Sequence, residues 1–232
     1  MISAWHGHVP FASWLIGAAR PATLVELGTH NGGSYFAFCE AVQRHGSPTR
    51  CFAVDTWQGD EHAGRYGERV FAELKRFHDE RYAAFSTLLR ATFDDAAATF
   101  SPGSVDLLHI DGLHTYAAVT HDFETWLPKM SPRGVVLLHD IAVHGNGFEV
   151  GRLWEELRQR YPSFSFPHCY GLGVLAVGAA VPAPVAALCR FDAEMSATVR
   201  RRFARLGETY ELQGTLLLNK VRALRAADPA QS

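Results

Sequence analysis

Four short strand-like runs in this chain each close on an acid: residues 24–26 on Glu26, 51–55 on Asp55, 104–111 on Asp111 and 134–140 on Asp140. Between them lie stretches with apolar residues at helical spacing, such as Tyr35, Phe36, Cys39 and Val42, or Val119, Phe123, Trp126 and Leu127. Strands that are apolar on both faces and alternate with helices pack as a parallel sheet covered on both sides. In such sheets ligands bind beyond the carboxyl ends of the strands, near the point where the strand order reverses. An acid at one strand end is readily a turn cap. Four acids at four such ends point instead to a shared binding site.

The remaining elements complete the pattern. Residues 1–20 carry Trp5, Phe11, Trp14, Leu15 and Ile16, which predict a short helix beneath the first strand. Val70, Phe71, Leu74 and Phe77 mark an amphipathic helix. Residues 87–90 read as a strand, with a helix as the open alternative, and 96–100 as a short helix. Val150, Leu153, Trp154 and Leu157 predict a helix stopped at Pro162. Residues 164–166 and 173–177 have no helix between them and predict an antiparallel hairpin at one sheet edge. From about residue 183 the character changes. Met195, Val199, Phe203 and Leu206 form one helical stripe, and Leu216, Leu217, Leu218, Val221 and Leu224 a second. The basic cluster Arg200, Arg201, Arg202 and Arg205 reads as a solvated helix face. The organisation predicted is a domain over residues 1–182 and a helical extension over 183–232, serving as a homodimer interface or as the lead into a fused further domain.

A chain of 232 residues is long enough to bury a large core. Its net charge of −2 provides no field that would recruit nucleic acid or an anionic membrane. Cys39, Cys51, Cys169 and Cys189 are scattered, without a C-x-x-C pair, and read as reduced core residues of a cytoplasmic protein. No run of about 18 apolar residues and no charged segment leading into an apolar core is present, so neither secretion nor membrane spanning is expected.

The first acid opens a glycine turn: Glu26, Leu27, Gly28, Thr29, His30, Asn31, Gly32, Gly33, Ser34. Gly28 permits a sharp turn, and Gly32 and Gly33 let a ligand approach bare backbone. A helix opening at Ser34 aims free N–H groups and the positive end of its dipole at that ligand. The dinucleotide fingerprint needs a second glycine two residues after the first. His30 stands there, which disfavours a pyrophosphate. The acid Glu26 favours a ligand that carries an amine.

With these residues assembled, the chain resembles the class I S-adenosylmethionine-dependent methyltransferases, and within them the branch of sugar and small-molecule O-methyltransferases often fused to glycosyltransferases. The resemblance spans about residues 20–180. Glu26, Gly28 and Gly32 match the first motif, and Asp55 matches the ribose-binding acid. The run from Asp111 through Gly112, Leu113, His114 and Thr115 to Tyr116, and then His139 with Asp140, match the fourth- and fifth-strand segments. The resemblance implies a Rossmann-like α/β fold: a doubly wound, seven-stranded, mostly parallel sheet with an antiparallel last strand. It also implies S-adenosylmethionine as cofactor. Gly28, Thr29, His30, Gly32 and Ser34 would face its methionine part, with Glu26 near the amino group and Asp55 taking both ribose hydroxyls. Thr56 or Trp57 would pack on the adenine, unless Trp57 merely anchors its loop. Phe93 and Asp94 lie where the family reads the adenine edge.

A hydroxyl acceptor must lose its proton or have its alkoxide stabilised. One device is Mg²⁺ or another divalent metal shared by Asp111 and Asp140, with His139 where metal-dependent relatives carry a second acid. The other is His114 as a base, its ordinary pKa near 6.5 suiting proton removal at neutral pH. A helix-start or metal-neighbour role stays open for it. His109 is expected to pack inside the sheet, and His62 with Asp60 and Glu61 to form a solvated loop or a lid. The competing readings are a catalytically silent cofactor-binding scaffold, an NAD-dependent oxidoreductase, and a metal-dependent hydrolase built on Asp111, His139 and Asp140.

Overall fold

The computed structural model describes residues 4–62 and 64–227. A 3-10 turn (Ala4–His8) leads into α1 (Val9–Ala19), then β1 (Thr23–Leu27), α2 (Gly33–Arg44) and β2 (Arg50–Asp55). A two-residue ribbon, β3 (Gly59–Asp60) with β4 (Gly64–Arg65), precedes α3 (Glu68–Arg81). There follow β5 (Ser86–Arg90), α4 (Phe93–Ala98), β6 (Val105–Ile110), α5 (Tyr116–Trp126), β7 (Met130–His139) and α6 (Val150–Leu157). The last elements are β8 (Ser163–Phe166), β9 (Leu172–Ala176), α7 (Ala183–Leu188) and α8 (Ala193–Ala227). The strand left open over 87–90 is a strand.

Seven strands form one sheet in the order β5-β2-β1-β6-β7-β9-β8, and β9 alone runs antiparallel to its neighbours. The chain winds outward from β1 through β2 to β5, then returns to lay β6 on the other side of β1. That reversal opens a crevice above β1 and β6, as doubly wound sheets do.

Period-two alternation divides the strands between two cores. Leu107, Val135, Leu137 and Val174 join Phe11, Leu15, Tyr35 and Phe38 on the face covered by α1 and α2. Leu108, Val136, Leu138 and Leu175 join Val119, Trp126, Leu153 and Trp154 on the face covered by α5 and α6. Strands buried on both faces need apolar residues at consecutive positions, which is why the runs read as continuous.

The tail packs back onto the domain. Val199 and Phe203 meet the first core, and the Phe203 ring lies 5.6 Å from Phe11 and 5.5 Å from Phe166. Met195 and Leu206, placed on the same stripe by the sequence, are exposed. The inward stripe runs instead through Ser196, Val199, Phe203 and Gly207. Arg200 is not simply solvated: its Nε donates to the Ser165 carbonyl at 2.7 Å and its guanidinium lies over Phe164. Arg201, Arg202 and Arg205 are exposed. The side chains of Leu217, Leu218, Val221 and Leu224, and residues 228–232, lie outside the described residues.

Candidate active site

The glycine turn and the end of β2 are stitched together through Asp55. Its Oδ2 accepts the His30 backbone N–H at 2.8 Å, and its Oδ1 accepts the Trp57 N–H at 2.6 Å. Gly28 sits at φ +88°, where its N–H donates to the Val54 carbonyl at 3.0 Å. A Cβ there would lie 2.1 Å from the Asp111 carbonyl oxygen, so only glycine lets β1 and β6 end side by side. His30 also takes a positive φ and stacks on Tyr66 at 4.4 Å. Trp57 is fully buried, its Nε1–H donating to the His30 carbonyl at 3.0 Å.

Glu26 is fully buried beneath the turn. Its Oε2 meets His109 Nδ1 at 2.8 Å, and Trp5 Nε1 lies 3.2 Å from His109 Nε2. An indole N–H only donates, so Nε2 must accept and Nδ1 must carry the proton given to Glu26. Burial pushes the Glu26 carboxyl up, with His109 and the Ser34 hydroxyl opposing. The other carboxylate oxygen, Oε1, is buried without a partner, as is the Thr29 hydroxyl.

Above β6 and β7 stand Asp111, His114, His139 and Asp140. Nε2 of His114 is 2.8 Å from Asp140 Oδ2 and 3.6 Å from Asp111 Oδ1. Nδ1 of His139 is 3.3 Å from Asp111 Oδ1 and 3.4 Å from Asp140 Oδ1. Burial alone would lower both imidazoles, but the two carboxylates outweigh it, lifting His114 to about 9 and His139 to about 10. Burial would likewise raise Asp111 and Asp140; the imidazoles outweigh it and hold both below the usual carboxylate range. His114 is stacked on Phe148 at 4.4 Å, and His62 lies 4.6 Å from the same ring and 5.5 Å from His114. The loop after β2 thus reaches the segments that follow β6 and β7.

Both groups open into one cavity of about 1400 Å³. Of the residues singled out in the sequence, Gly28, Thr29, His30, Ser34, Asp55 and Thr56 line it on the cofactor side. Phe93, Asp111, His114, His139 and Asp140 line it as well. Glu26, Gly32 and Trp57 are not on that wall. Asp94 points elsewhere: it is exposed and pairs with His121 at 2.8 Å. Thr92 rather than Asp94 faces the cavity beside Phe93. The sequence reading missed Tyr66 and Phe148, and it missed the far wall, where His6, Cys169, Tyr170, Glu208 and Glu211 stand.

A family model described as a methyltransferase domain matches residues 25–141, the segment from β1 to the end of β7 that builds this site. The chain belongs to that family and has the fold of the class I S-adenosylmethionine-dependent methyltransferases. It is 49% identical over 215 residues to y4gI, an uncharacterised protein of Sinorhizobium fredii, covering 92% of this chain and 24% of that one. It is 25% identical over 142 residues to a Streptomyces olivaceus protein, 8-demethyl-8-(2,3-dimethoxy-alpha-L-rhamnosyl)-tetracenomycin-C 4'-O-methyltransferase, covering 53% of this chain and 54% of that one. The chain therefore spans about a quarter of the first relative and about half of the second. In fold it is similar to a methyltransferase of Podospora anserina solved with S-adenosylhomocysteine bound, with a TM-score of 0.56 at 12% identity over 72% of this chain and 76% of that one. No helix among the described residues is long and apolar enough to cross a membrane.

Proposed function

We propose that this domain methylates a hydroxyl of a sugar or another small molecule, with a divalent cation assisting at Asp111, His139 and Asp140. The observation that carries the reading is the Asp111–His114–His139–Asp140 cluster opening into the same cavity as the Gly28 turn and Asp55. The Streptomyces relative's name, which describes O-methylation of a rhamnosyl group, supports a sugar hydroxyl as acceptor. The length of the Sinorhizobium relative supports a module joined to further domains.

The residues fit the cofactor. The orphaned Thr29 hydroxyl, on the cavity wall, offers a polar group for the methionine end, and the negative charge of Glu26 lies buried behind the turn. Asp55 accepts the His30 and Trp57 N–H groups and, at 3.4 Å, the Tyr66 hydroxyl, so it takes both ribose hydroxyls when Tyr66 gives up that bond. A divalent ion also fits: Asp111, His139 and Asp140 each present one donor atom, all within 4.8 Å of one another. His139 Nε2 is held by the Cys169 carbonyl at 3.1 Å, which leaves Nδ1 facing the carboxylates, the outer-shell arrangement that orients metal-binding imidazoles.

Methyl transfer from a sulfonium is an in-line displacement whose leaving group needs no acid. Alignment can supply ~7–11 kcal/mol of the barrier. When bound, a divalent ion would supply Lewis-acid stabilisation of the acceptor alkoxide. His114, held at about 9, carries its proton at neutral pH and becomes a base only when the carboxylates beside it are otherwise engaged. Transfer of labelled methyl from S-adenosylmethionine to a panel of glycosides tests the reading. Turnover should fall with a chelator and with His114→Ala, while the variant's S-adenosylhomocysteine affinity stays within a few-fold. Cofactor binding with no methylated product would establish the silent scaffold instead.

A further inference from the structure

Cofactor chemistry accounts for only one side of the cavity. Its volume of about 1400 Å³ exceeds the roughly 300–1,000 Å³ of ordinary ligand clefts, which leaves a chamber for an acceptor of some size. The far wall joins three segments distant in sequence: His6 and Gly7 before α1, Cys169 and Tyr170 between β8 and β9, and Glu208 with Glu211 on α8. A glycine contact brings α8 close enough to serve. A Cβ on Gly207 would lie 2.3 Å from the Gly7 carbonyl oxygen. The Cys169 thiol donates to Glu211 Oε1 at 3.1 Å and ties the loop to the helix.

The charge of the chamber is one-sided. Six carboxylates line the whole cavity, those of Asp55, Asp60, Asp111, Asp140, Glu208 and Glu211, and no Lys or Arg lines it among the described residues. Asp111 and Asp140 are offset by His114 and His139. Glu208 and Glu211 face His168 instead, and Glu211 accepts from the Cys169 thiol. Burial pushes the neighbouring His168 down, so it stays neutral and adds no positive charge at neutral pH. Phosphate and carboxylate recognition relies on Arg, Lys or a helix N-terminus. The far wall presents the side of α8, with two carboxylates, where such a group would have to sit.

We propose that Glu208 and Glu211 form a charge filter at the acceptor end of the site. The acceptor is a hydroxylated molecule without phosphate or carboxylate, such as a neutral or amino-bearing glycoside, and sugar phosphates and nucleotide-activated sugars are turned away. This rests on the reading of the domain as an O-methyltransferase.

The test pairs each unphosphorylated glycoside of a panel with its phosphorylated or nucleoside-diphosphate counterpart, and measures labelled methyl transfer. The unphosphorylated member should show at least tenfold higher kcat/KM. In the double variant E208K/E211K that ratio should shrink at least tenfold, with S-adenosylhomocysteine affinity unchanged within twofold. Glu208 is exposed, so E208Q alone gives a milder variant that keeps its fold should the double variant not, and it should narrow the ratio in the same direction. A phosphorylated member as the better substrate, or unchanged discrimination in a variant that melts like the wild type, would overturn the filter. Methyl placed on nitrogen with the same discrimination would defeat the O-methyl reading and leave the filter standing. O-methylation of a nucleotide sugar would do the reverse.

Discussion

The backbone N–H of His30 donates to the Asp55 carboxylate at 2.8 Å, across 25 residues of sequence, and so fixes the glycine turn against the end of β2. One carboxylate therefore shapes the turn and faces the cavity. Its replacement should cost both functions.

Asp55→Ala should abolish most of the rise in Tm that S-adenosylhomocysteine gives the wild type. Hydrogen bonds to a charged group contribute about 1.5–3 kcal/mol each, so losing two corresponds to roughly a hundredfold or more in affinity. A ligand-induced shift equal to that of the wild type would remove Asp55 from the ribose site.

His109→Phe should destabilise the fold without direct contact to ligand. It removes the His109 partner of Glu26 Oε2 and of the Trp5 indole N–H and leaves that carboxylate oxygen buried, a loss of about 3 kcal/mol. For a chain of this size that lowers Tm by roughly 6–12 °C. An unchanged melting curve would show that the Glu26–His109–Trp5 chain contributes nothing to stability.

Much of the site was legible because strand ends are. An apolar run that stops at Asp55 or Asp111 announces both the strand and the edge of the crevice, and Gly28 announces the turn between them. What was not legible is partnership at long range. His109 was expected to pack inside the sheet, but nothing in the sequence pairs it with Glu26, 83 residues away. The spacing of Val199 and Phe203 predicted a helix, yet an amphipathic stripe does not name its partner. The helical extension packs with Phe203 against Phe11 and Phe166, a contact that the stripe alone does not announce. Glu208 and Glu211, three residues apart on a helix, look like any solvated face until the Gly7–Gly207 contact brings them to the cavity. Asp94 misled for the opposite reason: a first-turn acid suits a helix start whether or not a ligand is near.

Asp122 supplies a pH-dependent test. Burial, helped by the Asp94 carboxylate and opposed by His121, raises it to about 7. Its folded pKa lies above its unfolded value, so the folded state holds the proton longer. Stability attributable to this residue is full below about pH 4, declines as pH rises to about 7, and stays low above that. Asp122→Asn should therefore raise Tm at pH 8, by the equivalent of about 2–4 kcal/mol, and the gain should vanish near pH 4. Equal melting of the two proteins at pH 8 would contradict the burial argument.

Gly207→Val should push α8 away from Gly7, because any Cβ meets the Gly7 carbonyl. The acceptor KM should rise several-fold while S-adenosylhomocysteine affinity holds, since the helix borders only the far wall. Equal losses for acceptor and cofactor would show that α8 supports the whole cavity.

The central claim is that the hollow between the Gly28 turn and Asp55 holds S-adenosylmethionine. Calorimetric titration of the protein with S-adenosylhomocysteine, and separately with NAD, addresses it most directly. Saturable one-to-one heat with S-adenosylhomocysteine and none with NAD is the predicted result; binding of NAD without S-adenosylhomocysteine would contradict the account.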